Sequence, residues 1–388
     1  MAQAQVVPQA STVAPSRLAF VDNLRWVMIV LVITMHSAVT YSGMGRWYYV
    51  EKAPLSLGSR LFFATYQVWL QAFFMGFLFF LAGYFVPPAF DRKGAARFLR
   101  DRVVRLGAPS LLYMLVIGPV SIYYLLHVKT PGDSLLRYWE YYVSGPAVRE
   151  GGTGPLWFCV ALLIFCAIYA GVRVMIHRTS GGEGWIPANR HVIPFILAIG
   201  VATFLVRTVQ PIGTAIWNMQ FCFFSQYVLL FIAGLHAYRY GWLKEMPHAF
   251  GIRWLRLSLA GGGLIWFAIL VLATRMNWQT RPFDGGLHWQ SAVLSFWESF
   301  FCVGVCLGLV VLFRERFNRQ GRLARFCSDN AFAVYVFHPP VVIGTSLAVR
   351  GFAAPAVAKF AVVSAVSTLV TFSAASLLRR VPLLKSIL

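Results

Sequence analysis

Charge is what this 388-residue chain lacks most. Only 12% of its residues are Asp, Glu, Lys or Arg, about half the share that a soluble domain carries. Acidic residues are the scarcest, 13 against 34 Lys and Arg. A chain with so little charge cannot cover a water-facing surface, which excludes soluble, disordered and coiled-coil classes together. Cysteine is also sparse. Cys159, Cys166, Cys222, Cys302, Cys306 and Cys327 lie mostly inside apolar runs, and no pair has zinc-ligand spacing. Neither a disulfide framework nor a metal site is expected. The first 16 residues, MAQAQVVPQASTVAPS, have no basic start of the kind a cleavable signal peptide carries, and they are expected to form a disordered tail.

What is present is apolar length. Hydrophobic residues make up 59% of the chain, and ten charge-poor stretches recur at about 18–40, 61–87, 106–127, 154–172, 191–206, 214–238, 257–274, 289–313, 329–349 and 358–378. Each approaches the roughly 20 residues that a helix needs to cross about 30 Å of hydrocarbon. The fifth is short and holds Pro194. The runs are continuously apolar and do not alternate as barrel strands do. The expected fold is therefore all-α and polytopic, one ten-helix membrane domain over 17–380 with a short tail at 381–388.

The net charge of +21 fits the same picture. With the N-terminus inside, 22 Lys and Arg fall in inner segments and 10 in outer ones. That asymmetry predicts N-in/C-in topology and leaves no basic soluble module for nucleic acid. Arg outnumbers Lys 28 to 6, a bias of GC-rich genomes that points to a bacterial inner membrane.

Ionisable residues inside membrane helices are costly and need a reason. The first span, RLAFVDNLRWVMIVLVITMHSAV, holds Arg25 and His36. Eleven residues are close to three helical turns, so both side chains lie on one face, roughly 16 Å apart along the axis. Asp22, three residues before Arg25, is placed to pair with it. A histidine near neutral pH can take a proton from a hydroxyl, as a general base must. Six cations crowd residues 88–105, where Arg102 and Arg105 share a helical face. They suit phosphate groups, although the stretch also fits an inner loop in contact with anionic lipid. Glu298 lies deep in the eighth span and needs a partner or a proton, with Arg207 or an Arg facing the cavity as candidates. His338 precedes Pro339 and Pro340, which should break or kink the ninth helix, leaving His338 either to bind freed carbonyls or to line a cavity. The outer aromatics Trp278, His288 and Trp289 suit either an interfacial belt or a sugar face.

These segments together resemble the acyltransferase 3 family of membrane proteins. The Asp-x2-Arg and Arg-x10-His of the first span are followed in order by FFMGFLFFLAGYF, with Ala82 where Ser is common, then FLRDRVVRLGAP, GPLWFCVALLIF and SDNAFAVYVFHPPVV. The resemblance implies an O-acyltransferase that moves an acyl group, usually acetyl, from cytoplasmic acyl-CoA to a hydroxyl of an extracytoplasmic acceptor, typically a carbohydrate. It implies that His36 and Arg25 are catalytic and that Arg102 and Arg105 hold the CoA co-substrate, with Asp22, Trp157, Glu298 and His338 in support. Whether His36 acts as a base or as a covalent acyl carrier stays open. The soluble esterase-like domain of some members is not expected, so helices and short loops must handle the acceptor. A transporter or flippase without covalent chemistry is the alternative, since transporters also place Arg and His in their spans.

Overall fold

A computed structural model describes residues 18–126, 134–145, 148, 152–176, 185–277 and 281–387. Among them no strand forms, and Ile216 and Met219 make a lone bridge. Ten helices are long and apolar enough to cross a membrane, and they coincide with the ten stretches read from the sequence. They are α1 (Ala19–Ser42), α2 (Leu57–Tyr84), α3 (Ala95–Leu126), α4 (Trp157–Ile176), α5 (Asn189–Val209), α6 (Phe224–Arg239), α7 (His248–Arg275), α8 (Trp289–Arg316), α9 (Arg322–Ala348) and α10 (Ala356–Leu378).

Local chemistry sets several ends. Asp22 sits in the first turn of α1, where a carboxylate meets the positive end of the helix dipole. Gly43 closes α1 in the left-handed region, its N–H bonded to the Val39 carbonyl. Ser56 caps α2 by accepting from the Ser59 amide at 3.2 Å.

Burial sorts the helices. α1, α2, α8 and α9 form the centre, whereas α4 and α7 present most of their surface outward. α1 packs on α2, α9 and α10, α2 on α6 and α8, and α8 on α5 and α7. Small residues let some pairs approach closely. A Cβ on Gly83 would collide with the Phe231 carbonyl, and one on Gly234 with the Phe80 carbonyl, so α2 and α6 cross backbone to backbone.

Two expectations change. The basic stretch 88–105 is helical nearly throughout: Val86–Lys93, then α3, interrupted at Gly94. Of the break or kink expected at Pro339 and Pro340, the break does not occur, and α9 runs through both. Pro339 has no N–H for the Tyr335 carbonyl. The His338 ring takes that carbonyl instead, with Nδ1 2.7 Å from it. A carbonyl only accepts, so Nδ1 carries the proton.

Candidate functional site

Charged side chains gather where α1, α2, α3, α4 and α9 meet at the basic end of the bundle. They surround a cavity of about 940 Å³. Six cations line it (Arg25, Arg92, Lys93, Arg102, Arg105 and Lys244) against three carboxylates, Asp22, Asp91 and Asp101. Each carboxylate has a cation. Asp22 lies 3.9 Å from Arg25, one turn along α1. Asp101 pairs with Lys93. Asp91 binds Arg173 at 3.0 Å and Arg239 at 3.3 Å, tying Val86–Lys93 to α4 and α6. Among the described residues Arg92, Arg102, Arg105 and Lys244 form no ion pair, so the cavity keeps a surplus of positive charge for an anion.

Arg102 and Arg105 both reach the cavity, as their spacing predicts. Arg102 also lies over the Phe98 ring at 5.1 Å, which holds its planar head in place. From Val103 to Gly107 the chain winds as a π-helix, a local widening that is frequent at functional sites. Tyr84, Phe85 and Tyr238 add flat apolar walls near the charges. Further in, Ile29, Leu81 and Leu162 make the lining apolar, and it ends near Tyr335.

Tyr335 joins this cavity to the histidines. Its carbonyl holds His338 Nδ1, and its hydroxyl donates to the Pro155 carbonyl of the GPLW segment. His338 is fully buried on α9, and its ring lies nearly parallel to that of His36 with centroids 5.2 Å apart. The face of α1 read from the sequence therefore runs from Arg25 in the cavity to His36 beside His338.

The sequence did not show Trp47. It returns from the loop after α1 and stacks on His36, with centroids 3.9 Å apart and planes 10° from parallel. Trp47 and His338 are 6.4 Å apart. The three separations make an angle of nearly 90° at His36, so Trp47 covers one face of the imidazole while His338 lies to its side. Next to Trp47, Tyr48 accepts from the Tyr113 hydroxyl at 2.9 Å. Burial pushes the Tyr48 phenol up to about 12, so it stays neutral. Trp47 was legible only as one of several loop aromatics, because nothing local says that this loop folds back over the helix.

Other expected residues fall elsewhere. Glu298 and Arg207 pair at 2.5 Å between α8 and α5, with Ser295 3.2 Å from the guanidinium. Neither lines the cavity. Trp157 packs with Phe79, Phe158, Phe224 and Tyr227, in a cluster joined to the site through Pro155. His288 and Trp289 are exposed, and Trp278 lies outside the described residues. A second hollow of about 540 Å³ between α5, α6 and α8 is apolar and contains none of the residues read as catalytic or CoA-binding. No cluster of metal-ligating side chains forms among the described residues.

Comparison with known proteins agrees with the ordered motifs. A family described as an acyltransferase domain, acyltransferase 3, matches residues 18–377. Among curated proteins, glucans biosynthesis protein C of Salmonella schwarzengrund (strain CVM19633) is 22% identical over 348 residues, which is 86% of this chain and 84% of that protein. The protein of the same name from Salmonella heidelberg (strain SL476) is 23% identical over the same shares. No solved structure matches the chain significantly.

Proposed function

The chain belongs to the acyltransferase 3 family of membrane acyltransferases, and on that premise we propose that it moves an acyl group, acetyl first among them, from cytoplasmic acyl-CoA to a hydroxyl of an extracytoplasmic carbohydrate. The observation that carries this reading is the cavity. Its basic end holds Arg92, Arg102 and Arg105, which form no ion pair among the described residues, and its other end lies one helical turn from the paired histidines. The carbohydrate acceptor is supported by the relatives, whose name assigns them to glucan biosynthesis. The orientation puts the basic end in the cytoplasm of a bacterial inner membrane, supported by the loop charge asymmetry.

In this reading Arg102 and Arg105 hold CoA phosphates through charge-assisted bonds, and Tyr84, Phe85 and Tyr238 offer flat surfaces to its adenine. The pantetheine arm passes Arg25 into the apolar inner part, and the acyl carbon reaches His36. Neutral His36 accepts the proton of the acceptor hydroxyl as its oxygen attacks the thioester carbonyl. The C–O bond forms, and the carbonyl π pair moves to oxygen. When the adduct collapses, the C–S bond breaks and the proton on His36 passes to the departing thiolate. His338, fixed with its Nδ1 proton on Tyr335, helps to order the site and does not itself give up a proton. Because His36 must start neutral, transfer falls on acidification.

The test is purified full-length protein in nanodiscs with labelled acetyl-CoA and a neutral glucan oligosaccharide. The expected result is label on the oligosaccharide and free CoA in equal amount. Folded protein that leaves acetyl-CoA intact in nanodiscs, while carrying unmodified oligosaccharide into proteoliposomes, would point to a transporter.

A further inference from the structure

The loop over His36 carries a buried donor that its own fold does not use. Residues 43–56 are held at several points. Gln67 Nε2 donates to the Met44 carbonyl at 3.0 Å, and the Glu51 amide donates to the Thr40 carbonyl at 2.9 Å. Glu51 also pairs with buried Lys359 of α10 at 2.8 Å. None of these contacts involves the Trp47 indole nitrogen. Among the described residues Trp47 Nε1 is buried and has no hydrogen-bond partner.

Six other indoles, those of Trp26, Trp139, Trp242, Trp254, Trp266 and Trp297, donate at 2.7–3.2 Å. Among the described residues Trp69 Nε1 is also buried without a partner, but its ring packs on Phe301. Buried tryptophan normally finds an acceptor, and a buried unpaired polar group calls for an explanation such as catalysis. A second orphan lies close by. Among the described residues His338 Nε2 is buried without a partner, and because Nδ1 carries the proton, Nε2 presents a lone pair. The immediate surroundings of His36 thus contain one spare donor, on Trp47, and one spare acceptor, on His338.

Acyl transfer needs a donor here. When the acceptor oxygen adds to the thioester, negative charge builds on the former carbonyl oxygen, and a fixed N–H aimed at it is among the most effective ways to lower the barrier. His36 is occupied as the base, and His338 offers no proton from Nε2. The Trp47 N–H lies in the indole plane, and the basic lone pair of His36 lies in the imidazole plane. The two planes are stacked, so their edges address neighbouring layers. The entering oxygen and the carbonyl oxygen are bonded to one carbon and would occupy those two layers.

We propose that Trp47 is a further catalytic residue, whose Nε1–H binds the oxyanion of the tetrahedral adduct while His36 holds the proton of the acceptor hydroxyl. The inference rests on acyl transfer at His36. The carbonyl π pair comes to rest on the oxygen that faces Trp47 and returns to re-form the carbonyl as the C–S bond breaks. Trp47 neither gains nor loses a proton, and the thiolate takes the proton from His36.

Two replacements separate this role from simple stacking. Trp47→Phe removes the N–H and narrows the ring. Replacing Trp47 by β-(3-benzothienyl)alanine keeps the bicyclic stack and puts sulfur in place of the N–H. Both are made in the full chain and assayed in nanodiscs with acetyl-CoA and a neutral glucan oligosaccharide. The proposal predicts that kcat falls by about 10²–10³ in both. KM for each substrate should stay within about twofold, with an unchanged melting temperature. A benzothienyl variant with wild-type kcat would overturn it, because stacking alone would then suffice, and this near-isosteric change decides the matter even if the Phe variant folds poorly. If the variants turn over normally while the wild type transfers acetyl, only the role of the indole falls. If the wild type transfers nothing, the proposed function falls with it.

Discussion

Arg102 and Arg105 show how far single residues can be read. Their spacing alone predicted a shared face, and both line the cavity. That they bind CoA is implied only by the resemblance, because a basic inner segment has a sufficient explanation in membrane topology. Arg102→Ala or Arg105→Ala should each raise KM for acetyl-CoA about 10- to 150-fold, the worth of a charge-assisted contact of roughly 1.5–3 kcal/mol. KM for the acceptor should change little, and steady-state kinetics with each substrate varied in turn checks this. Equal donor KM in both variants and wild type would return these arginines to a topological role. Glu298 and Arg207 show the opposite limit. Glu298 looked functional because a lone carboxylate in a span is costly, yet Arg207 satisfies it. The sequence offered Arg207 as one candidate partner but could not single it out, since the two lie 91 residues apart. Trp47 is the clearest omission. Its position depends on a loop anchored by Gln67 and Lys359, contacts that no local pattern announces.

At the scale of elements, the spans were legible because hydrocarbon imposes both length and apolarity. Their ends were less so. α6 starts at Phe224 and not near 214, because the intervening chain folds as a turn with Trp217 and Asn218 at positive φ. That turn is tied back to the GPLW segment by Thr153 to the Trp217 carbonyl at 2.6 Å and Asn218 to the Gly154 carbonyl at 2.8 Å. α7 begins at His248 and so carries Arg253 and Arg256, long side chains that can reach toward an interface while their stems stay apolar. α9 runs through two prolines, and His338 replaces one of the two missing backbone donors, a compensation the dipeptide alone does not reveal. The α2–α6 crossing gives a direct check on packing. Gly83→Ala or Gly234→Ala should destabilise the protein by about 1–3 kcal/mol through overpacking, seen as a lower melting temperature in detergent. Gly58→Ala, where the added methyl meets open space, should not do so. Equal melting temperatures for all three would mean that the two helices are not so close.

For the whole molecule, the account links charge, cavity and histidines along one direction. The 22-to-10 distribution of Lys and Arg predicts that a reporter fused after Leu388 reads cytoplasmic and one placed in 128–153 reads outside. Both on one side would contradict the ten-span topology. In the proposed function, that orientation lets a cytoplasmic donor enter at Arg102 and Arg105 and the acceptor meet it at His36. The fold class and the α1 face were plain in the sequence, whereas the cavity and the Trp47–His36–His338 group needed five helices and a loop to be brought together. The central claim is that His36 removes the acceptor proton, and acyl transfer by purified His36→Ala and His36→Gln proteins tests it most directly, with melting temperature as the folding control. Loss of a general base costs about 10²–10⁴ in rate, so both should melt as the wild type does and transfer acetyl at least about a hundredfold more slowly. Near-normal transfer by these folded variants would contradict the account and move the base to another residue.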